Sequence, residues 1–504
     1  MRTATESVLE EIPPSRLNLR HLPYLQYRNG PILPIYKFKR TPCAEELKQL
    51  TGLLAIRQAN NTLIVTGVSF GCVDRELFFQ GNHAFEGSLI QQITLAYDEK
   101  YIYTKSGSFG CTIVGRSDYA IAETAAFVWG LESNIQTMHV HCNERFDFGA
   151  VLNEQLDLLL RNGQSKIELI VSNISPAQAK YIAQVPHPIV LELGNSLDSF
   201  SDGGYAFVEA LHGRESPFGN LRLGREIHAP LGFCFQQLLL CKSIDNLEIL
   251  CFVAPLLIRE LLLASAKAVS FTIDISDSLR LDWTTIEIVP RHLSVEFSSC
   301  ESVAHIDFIA SFLRHLAALG DLVKLKLALC PKWVRGIPES IAEELIRVID
   351  ANQNMEELYM RYTFIEYDKH LGEIYAAMEH HKGLRRFKVD QYLDKVDPGY
   401  TILKQLLKKN RSIEVLYYFG ERITDGDEID RIYSFNGFFR GSEGLAQSSL
   451  SFMTPLVGEA LTRSASCDFQ RNALLMANHT DTLLELVQFS LLLTSEVCIS
   501  SIEE

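Results

Sequence analysis

Short apolar stretches with a fixed internal spacing recur along this chain. The clearest covers residues 322–330 and has the form L-x-x-L-x-L-x-x-C. The same form begins again at Met355, Leu384 and Ile413, so the four starts lie 33, 29 and 29 residues apart. Alternate side chains of a strand share a face, so each L-x-L segment presents two apolar residues on one side. We therefore predict four consecutive units, each with a short strand that is buried on one face.

Further copies of the pattern precede these four units. A good match begins at Ile135, looser ones begin at Lys166, Pro188, Phe218, Leu247, Ala268 and His292, and weak ones begin at Asn60 and Ile90. Between the strands, apolar residues at three- and four-residue spacing predict helices. These helices cover residues 121–131, 155–160, 205–212, 341–349, 371–378 and 402–408. Such units predict a parallel sheet that buries one face against a layer of helices.

The units resemble the leucine-rich repeat family in its ribonuclease-inhibitor-like form, over roughly residues 60–430. This resemblance implies an α/β solenoid, in which a curved parallel sheet is concave and the helices and loops lie on the convex side. The position after the strand is often Asn in that family, and here Asn143 fits well. Other units depart from it with Cys300, Cys330, Thr363, Tyr392 and Glu421. The closing segment, residues 431–489, is also similar to the ends of uncharacterised microalgal repeat proteins, a likeness that implies no activity.

Three regions follow from this interpretation. Residues 1–58 are rich in proline and predict an irregular N-terminal arm or cap. Residues 59–430 form the predicted leucine-rich repeat array, most regular over 322–421 and least regular over 59–134. Residues 431–504 predict a helical C-terminal cap, because the end of a solenoid needs a unit whose outer face tolerates water. The cap helices are predicted over residues 433–440, 454–461, 472–476 and 482–492.

Composition narrows the class of protein. A chain of 504 residues with 47% hydrophobic and 22% charged residues is not disordered throughout. Its net charge of -15 argues against a protein that binds nucleic acid over its whole surface. We expect no secretion signal, no membrane-spanning segment and no disulfide framework, since the 11 cysteines are scattered. The predicted location is intracellular, either cytoplasmic or nuclear.

One motif in the first 130 residues could belong to an enzyme. Residues 67–71 match the G-x-S-x-G turn that exposes a nucleophilic serine. An enzyme there would use Ser69 or Cys72 with His83 and Asp74. However, the tetrapeptide Ser-Phe-Gly-Cys occurs twice in the chain, which favours a structural turn. We predict no catalytic residues and no cofactor, and we keep the enzyme as an alternative.

Two histidines form the most metal-like pattern. His139 and His141 would share one face of a strand, where both could approach one ion. Glu168 is the one further ligand type on the same face of the next unit. Because three or four ligands are needed, we predict no metal site.

The outer face of the last four predicted strands mixes cations with aromatic residues. In the predicted register these positions are Lys324, Lys326, Glu357, Tyr359, Arg361, Arg386, Lys388, Asp390, Val415, Tyr417 and Phe419. Five basic and two acidic groups give a local balance of +3. Tyr and Arg are enriched in the hot spots of protein interfaces. We predict partner contacts by seven residues: Lys324, Lys326, Tyr359, Arg361, Arg386, Lys388 and Tyr417.

The sequence thus predicts a non-enzymatic interaction or recognition protein that binds a protein partner on its concave sheet. The partner would be acidic or phosphorylated, with bidentate contacts from Arg361 and Arg386. A substrate-recruiting subunit of a ligase and a regulator of small GTPases remain open within this class. The basic face is small, so nucleic acid is a weaker expectation.

Overall fold

The computed structural model describes most of the chain. It covers residues 8–13, 26–27, 35–43, 46, 50, 54–66, 69–73, 76–80, 91–94, 100–106, 109–131, 137–143, 145–161, 166–224, 233–298, 302–328, 338–361, 370–390, 392, 397–446, 453–464, 468–481 and 483–484. The chain divides into two compact units. Unit 1 contains Met1–Leu281 and Thr285–Val295, and unit 2 contains Asp282–Thr284 and Glu296–Glu504.

Strands that alternate with helices occur in both units. Of the 21 strands in the described residues, 17 lie in mostly parallel, unclosed sheet structure and four in a small antiparallel sheet. This confirms the predicted α/β class, with a strand and helix arrangement compatible with a solenoid.

Unit 1 begins with ten strands. They are β1 (Leu9–Glu11), β2 (Gln26–Tyr27), β3 (Ile35–Phe38), β4 (Leu54–Arg57), β5 (Leu63–Thr66), β6 (Ser69–Val73), β7 (Glu76–Gln80), β8 (Gln91–Thr94), β9 (Lys100–Ser106) and β10 (Phe109–Gly115). Strands and helices then alternate through α1 (Asp118–Leu131), β11 (Thr137–Cys142), α2 (Asn153–Leu160), β12 (Lys166–Ile170), α3 (Pro176–Ala183), β13 (Ile189–Leu193), α4 (Tyr205–His212), β14 (Gly219–Leu223), α5 (Phe233–Leu239), β15 (Ile244–Val253), α6 (Pro255–Leu262), β16 (Ala268–Asp274) and α7 (Ile275–Ser278).

The boundary between the units falls within β17 (His292–Ser298). Unit 2 continues with α8 (Val303–Leu319), β18 (Lys324–Ala328), α9 (Glu339–Ala351), β19 (Glu357–Arg361), α10 (Leu371–Glu379), β20 (Arg386–Val389), α11 (Thr401–Lys409), β21 (Glu414–Tyr417), α12 (Glu428–Ala446), α13 (Met453–Ser464) and α14 (Phe469–Asn478).

The first ten strands are not repeat units. β4 is antiparallel to β5, β5 to β10, β10 to β9, and β9 to β11, while β2, β6, β7 and β8 form the small antiparallel sheet. The repeat units predicted from Asn60 and Ile90 are therefore wrong. The five residues between β4 and β5 are too few for the crossover that parallel strands need. Within the predicted irregular arm, residues 1–58, the described strands β1, β3 and β4 belong to the mostly parallel sheet.

From β11 onward, unit 1 follows the predicted repeat. β11 to β16 pair in parallel with their neighbours in chain order. Most of these strands alternate buried and partly exposed residues, as a strand with one covered face should. The predicted helices over 121–131, 155–160 and 205–212 fall within α1, α2 and α4.

In β15 the predicted register was shifted. Starting the unit at Leu247 places Ile249 and Val253 on the open face, but both are buried. Leu250 and Phe252 are the exposed residues instead. The strand contains apolar residues at both alternating sets of positions, so the pattern alone could not identify the covered face.

In unit 2, β18 to β21 are parallel neighbours that alternate with α9, α10 and α11. The predicted helices over 341–349, 371–378 and 402–408 fall within these three helices. Leu325, Leu358, Phe387 and Val415 align across the four strands and are all buried. The regular periodicity of this region therefore corresponds to a regular ladder of strands.

Helices follow β21, as predicted for the C-terminal region. The predicted segments 433–440, 454–461 and 472–476 lie within α12, α13 and α14. The helix predicted over residues 482–492 lies almost entirely outside the described residues.

The side of β21 away from β20 is occupied by the residues that follow it. Gly420, with a φ of +89°, allows a tight turn in which the Tyr417 amide donates to the Glu421 carbonyl at 2.7 Å. The Tyr433 hydroxyl donates to the carbonyl of Val415 at 3.0 Å. The backbone groups of β21 are thus bonded within the chain, which protects the strand from pairing with another molecule.

A ladder of buried polar side chains links consecutive helices of unit 2 near their C-terminal ends. Asn352 donates to the carbonyls of Leu316 and Val348 and accepts from the Leu322 amide at 2.9 Å. His381 contacts the carbonyl of Asn352 through Nε2 at 3.0 Å.

The ladder continues into the C-terminal helices. Asn410 donates to the carbonyls of Met378 and His381, and Asn436 donates to the carbonyl of Leu407 at 2.8 Å. These bonds satisfy carbonyls that a helix end leaves unpaired. The resemblance to leucine-rich repeats predicts a polar ladder after the strand, whereas this ladder lies before it. Its members Asn352, His381 and Asn410 each lie three residues before a predicted unit start.

Candidate functional site

The open face of β18 to β21 gathers most of the predicted partner-binding residues. Strand pairing aligns a first row of four residues: Lys324, Glu357, Arg386 and Glu414. A second row lies two residues further along the strands: Lys326, Tyr359, Lys388 and Leu416. Arg361 ends β19 on the same face, opposite Ala328. Six of the seven predicted residues therefore share one surface, which we call the β18–β21 face.

Tyr417 is the exception, and its predicted position is wrong. Strand β21 pairs with β20 so that Tyr417 lies beside the buried Val389, while Leu416 lies beside Lys388. The sequence register that starts at Ile413 differs from this pairing by one residue. A shift of one residue moves every side chain of a strand to the opposite face.

The corrected register brings Tyr418 to the β18–β21 face, and the exposed Phe419 lies beside it. Tyr418 is 47% exposed and Phe419 is 87% exposed, with ring centres 4.9 Å apart. The Tyr418 ring also stacks on Tyr359, at 5.7 Å between centres. The run of three aromatic residues was visible in the sequence, but its periodicity did not show which ring faces outward.

Glu357 lies among the cations of this face. Its carboxylate is 2.8 Å from the Lys388 ammonium and 3.6 Å from the Arg386 guanidinium. Burial acts to raise the pKa of Glu357, but the hydrogen bond from Lys388 and the charges of Lys388, Arg386 and Lys324 lower it further than burial raises it. The cations of this face are thus arranged so that together they stabilise a carboxylate.

Tyr359 is a buried support in the middle of the face. Its hydroxyl donates to Asp390 Oδ1 at 2.8 Å, and the Lys326 ammonium lies 5.4 Å from the centre of its ring. Burial, followed by the hydrogen bond to Asp390, raises the pKa of Tyr359, so the hydroxyl remains a donor at neutral pH. With 5% of its surface exposed, Tyr359 positions its neighbours and offers little area for direct contact.

The arginines of the face have partners inside the protein. Arg361 lies 3.5 Å from Glu296, and Arg386 pairs with Glu357. Bidentate binding of a partner by these two arginines would therefore replace existing ion pairs. A pair of largely exposed side chains such as Arg361 and Glu296 contributes about 0–1 kcal/mol, so that exchange costs little. Glu357 is 17% exposed and depends more on its cations.

In unit 1, the open face of β11 to β15 carries a chain of alternating charges. The ion pairs are Lys166 with Glu192 at 2.7 Å, Arg222 with Glu192 at 2.9 Å and Arg222 with Glu248 at 2.6 Å, and His139 Nδ1 lies 2.7 Å from Glu168 Oε2. His139 thus contacts the Glu168 carboxylate. Within the described ranges, no group of three or more His, Cys, Asp or Glu could hold a metal ion. Mutual neutralisation leaves this face little net charge for a partner.

The alternative enzymatic site lies mostly outside the described residues. Ser69 and Cys72 lie in β6, but the structure does not describe their side chains. Asp74 and His83 lie outside the described residues. The alternative therefore stays a prediction.

A polar groove of about 480 Å³ lies at the C-terminal ends of α10 and α11. Its lining includes Lys408, Lys409 and Glu379, and both lysines form ion pairs, Lys409 with Glu379 at 2.5 Å and Lys408 with Glu428 at 2.9 Å. Cations at helix C-termini complement the negative end of the helix dipole. The groove is thus explained by the helix ends and is a weaker candidate than the β18–β21 face.

Among the helices of the described residues, none combines the length and apolar character needed to cross a membrane. No protein-family model matches the chain, and no curated protein is significantly similar to it.

Proposed function

We propose that this chain is a leucine-rich repeat protein of the ribonuclease-inhibitor-like type, without catalytic activity, and that it binds a protein partner on the β18–β21 face. Parallel strands that alternate with helices, and apolar residues aligned from strand to strand, support the repeat assignment. The observation that carries the binding role is the convergence of five cations and of exposed aromatic rings on one open face. Of these residue types, Tyr and Arg are enriched in the hot spots of protein interfaces.

The partner is acidic or phosphorylated in this proposal. The face binds the Glu357 carboxylate through Lys388 and Arg386, and groups of the same charge on a partner would compete for these cations. Tyr418 and Phe419 supply apolar area beside the charges. Because the contacts are charged and partly exposed, affinity falls as salt is added.

Partner capture with a charge-reversed face tests the proposal. The variant carries Lys326→Glu, Arg361→Glu and Arg386→Glu, and its control carries Lys180→Glu, Lys267→Glu and Arg431→Glu. The control cations are also exposed and ion-paired, but they lie outside the β18–β21 face.

Each protein, immobilised, is exposed to extract of its native cells, and the captured proteins are quantified by mass spectrometry. The face variant should lose partners that the control retains. Capture of every partner by the face variant, at unchanged circular dichroism, would contradict the proposed role.

A further inference from the structure

Four cations of the β18–β21 face stand at the corners of a rectangle. Lys324 and Lys326 lie on β18, Arg386 and Lys388 lie on β20, and β19 runs between the two strands. Strands lie about 4.8 Å apart and rise about 3.3 Å per residue, so the Cα atoms at the corners are about 10 Å apart across the strands and about 7 Å apart along them. This rectangle is wider than one small anion.

The two rows of the rectangle differ in charge. In the first row, Glu357 stands between Lys324 and Arg386 and partly neutralises them. In the second row, the neutral Tyr359 stands between Lys326 and Lys388, and the Lys388 ammonium also reaches Glu357 of the first row at 2.8 Å. Two negative groups about 10 Å apart would each meet one lysine of the second row, and the group at Lys388 would compete with Glu357 for it.

The arginines are poorly placed to share one phosphate. Arg386 lies in the first row on β20, and Arg361 lies four residues further along, on β19. Their Cα atoms are therefore about 14 Å apart. Their guanidinium groups also contact different carboxylates, Arg361 that of Glu296 and Arg386 that of Glu357. Since phosphate recognition relies on several donors that converge on one group, this spread favours separate carboxylates.

We propose that the β18–β21 face binds an unphosphorylated acidic peptide segment that crosses the strands, with two carboxylates three residues apart. Three residues of a polyproline II segment advance about 9 Å and return the side chain to the same side, which matches the second row. An apolar residue one or two positions beyond the second carboxylate then reaches Tyr418, which is 47% exposed. This inference rests on the proposed function and specifies its partner.

Defined peptides test the spacing. The probe is a fluorescein-labelled, proline-rich twelve-residue peptide with two glutamates three positions apart, followed by leucine. Matched peptides place the glutamates side by side, replace both with glutamine, or replace both with a single phosphoserine. Fluorescence anisotropy with the full chain should give the spaced peptide an affinity about fivefold higher than that of each matched peptide.

Protein variants locate the contact. Lys326→Gln with Lys388→Gln should remove the preference for the spaced peptide, while Lys180→Gln with Lys267→Gln should keep it. Equal binding of the side-by-side peptide, tighter binding of the phosphoserine peptide, or no binding of any peptide would overturn the inference.

The two proposals fail separately. If partner capture depends on the β18–β21 face but the peptides show no spacing preference, the proposed function stands and this inference falls. If capture does not depend on the face, the proposed function falls whatever the peptides show.

Discussion

Single side chains of unit 2 hold neighbouring helices together. Asn352 is completely buried and makes hydrogen bonds to backbone groups on both sides of it. A buried backbone group that loses its partner costs roughly 1–3 kcal/mol. The side-chain ladder is therefore a larger source of stability than the exposed ion pairs of the same unit.

Replacing Asn352 with alanine should lower the free energy of unfolding by about 2–3 kcal/mol, because the Leu322 amide and the Leu316 carbonyl lose the buried side chain that bonds them. Urea unfolding followed by circular dichroism measures the change. The control is Asn354→Ala, two residues away and exposed, which should change stability by less than about 0.5 kcal/mol. Equal effects of the two substitutions would contradict the ladder.

His381 makes the ladder sensitive to acid. Burial lowers its pKa below the ordinary value of 6.5, although hydrogen bonds to the backbone act against burial. In acid the unfolded chain binds the proton more readily than the folded chain. The stability contributed by neutral His381 is therefore complete above pH 6.5 and decreases as the pH falls towards the lowered pKa.

The variant His381→Gln should show a smaller loss of unfolding free energy than the wild type between pH 7 and pH 5. Urea unfolding at several pH values measures this slope. Removing the exposed His380 in the same way should leave the wild-type slope intact. A slope in His381→Gln as steep as that of the wild type would show that other groups carry the pH dependence.

At the scale of elements, close backbone approach determines how tightly successive units pack. A Cβ added to Gly383, just before β20, would lie 2.4 Å from the carbonyl oxygen of Gln353. A Cβ on Gly372, inside α10, would meet no atom within 4 Å. The same substitution should thus have opposite effects at two sites of one unit.

Gly383→Ala should destabilise the chain by about 1–3 kcal/mol, because backbone must move to admit the methyl group. Gly372→Ala should stabilise it by up to about 1 kcal/mol, since alanine favours the helix. Thermal unfolding of both variants gives the comparison. A stabilised Gly383→Ala variant would contradict the close approach of the two turns.

The periodicity of apolar residues predicts the register of some strands and not of others. In β18, β19 and β20 the polar residues alternate with apolar ones, and the predicted open-face residues have the predicted positions. In β21, Val415, Leu416, Tyr417 and Tyr418 are all apolar or aromatic, so two registers fit the pattern equally well. Backbone pairing with β20 selects one of them. The outward Tyr418 was missed for this reason.

At the scale of the whole molecule, the net charge does not show how differently the charged residues are arranged on the open faces of the two units. The chain carries -15, and the open face of unit 1 neutralises its charges in pairs. The β18–β21 face instead concentrates cations around Glu357. Electrostatic attraction of a partner depends on such local fields more than on the total charge.

By itself, the sequence determined strands β11 to β21, six of the helices between residues 118 and 409, and the set of cations on β18, β19 and β20, whereas α3, α5, α6 and α8 were not predicted. The correct predictions follow from side-chain periodicity, which is a local property of the backbone. Only the tertiary structure decided the antiparallel pairing of the first strands, the face on which Tyr417 and Tyr418 lie, and the pairing of Arg361 with Glu296. These features join residues far apart in the chain or choose between local patterns of equal quality, so hydrogen bonding and burial in the folded chain determine them.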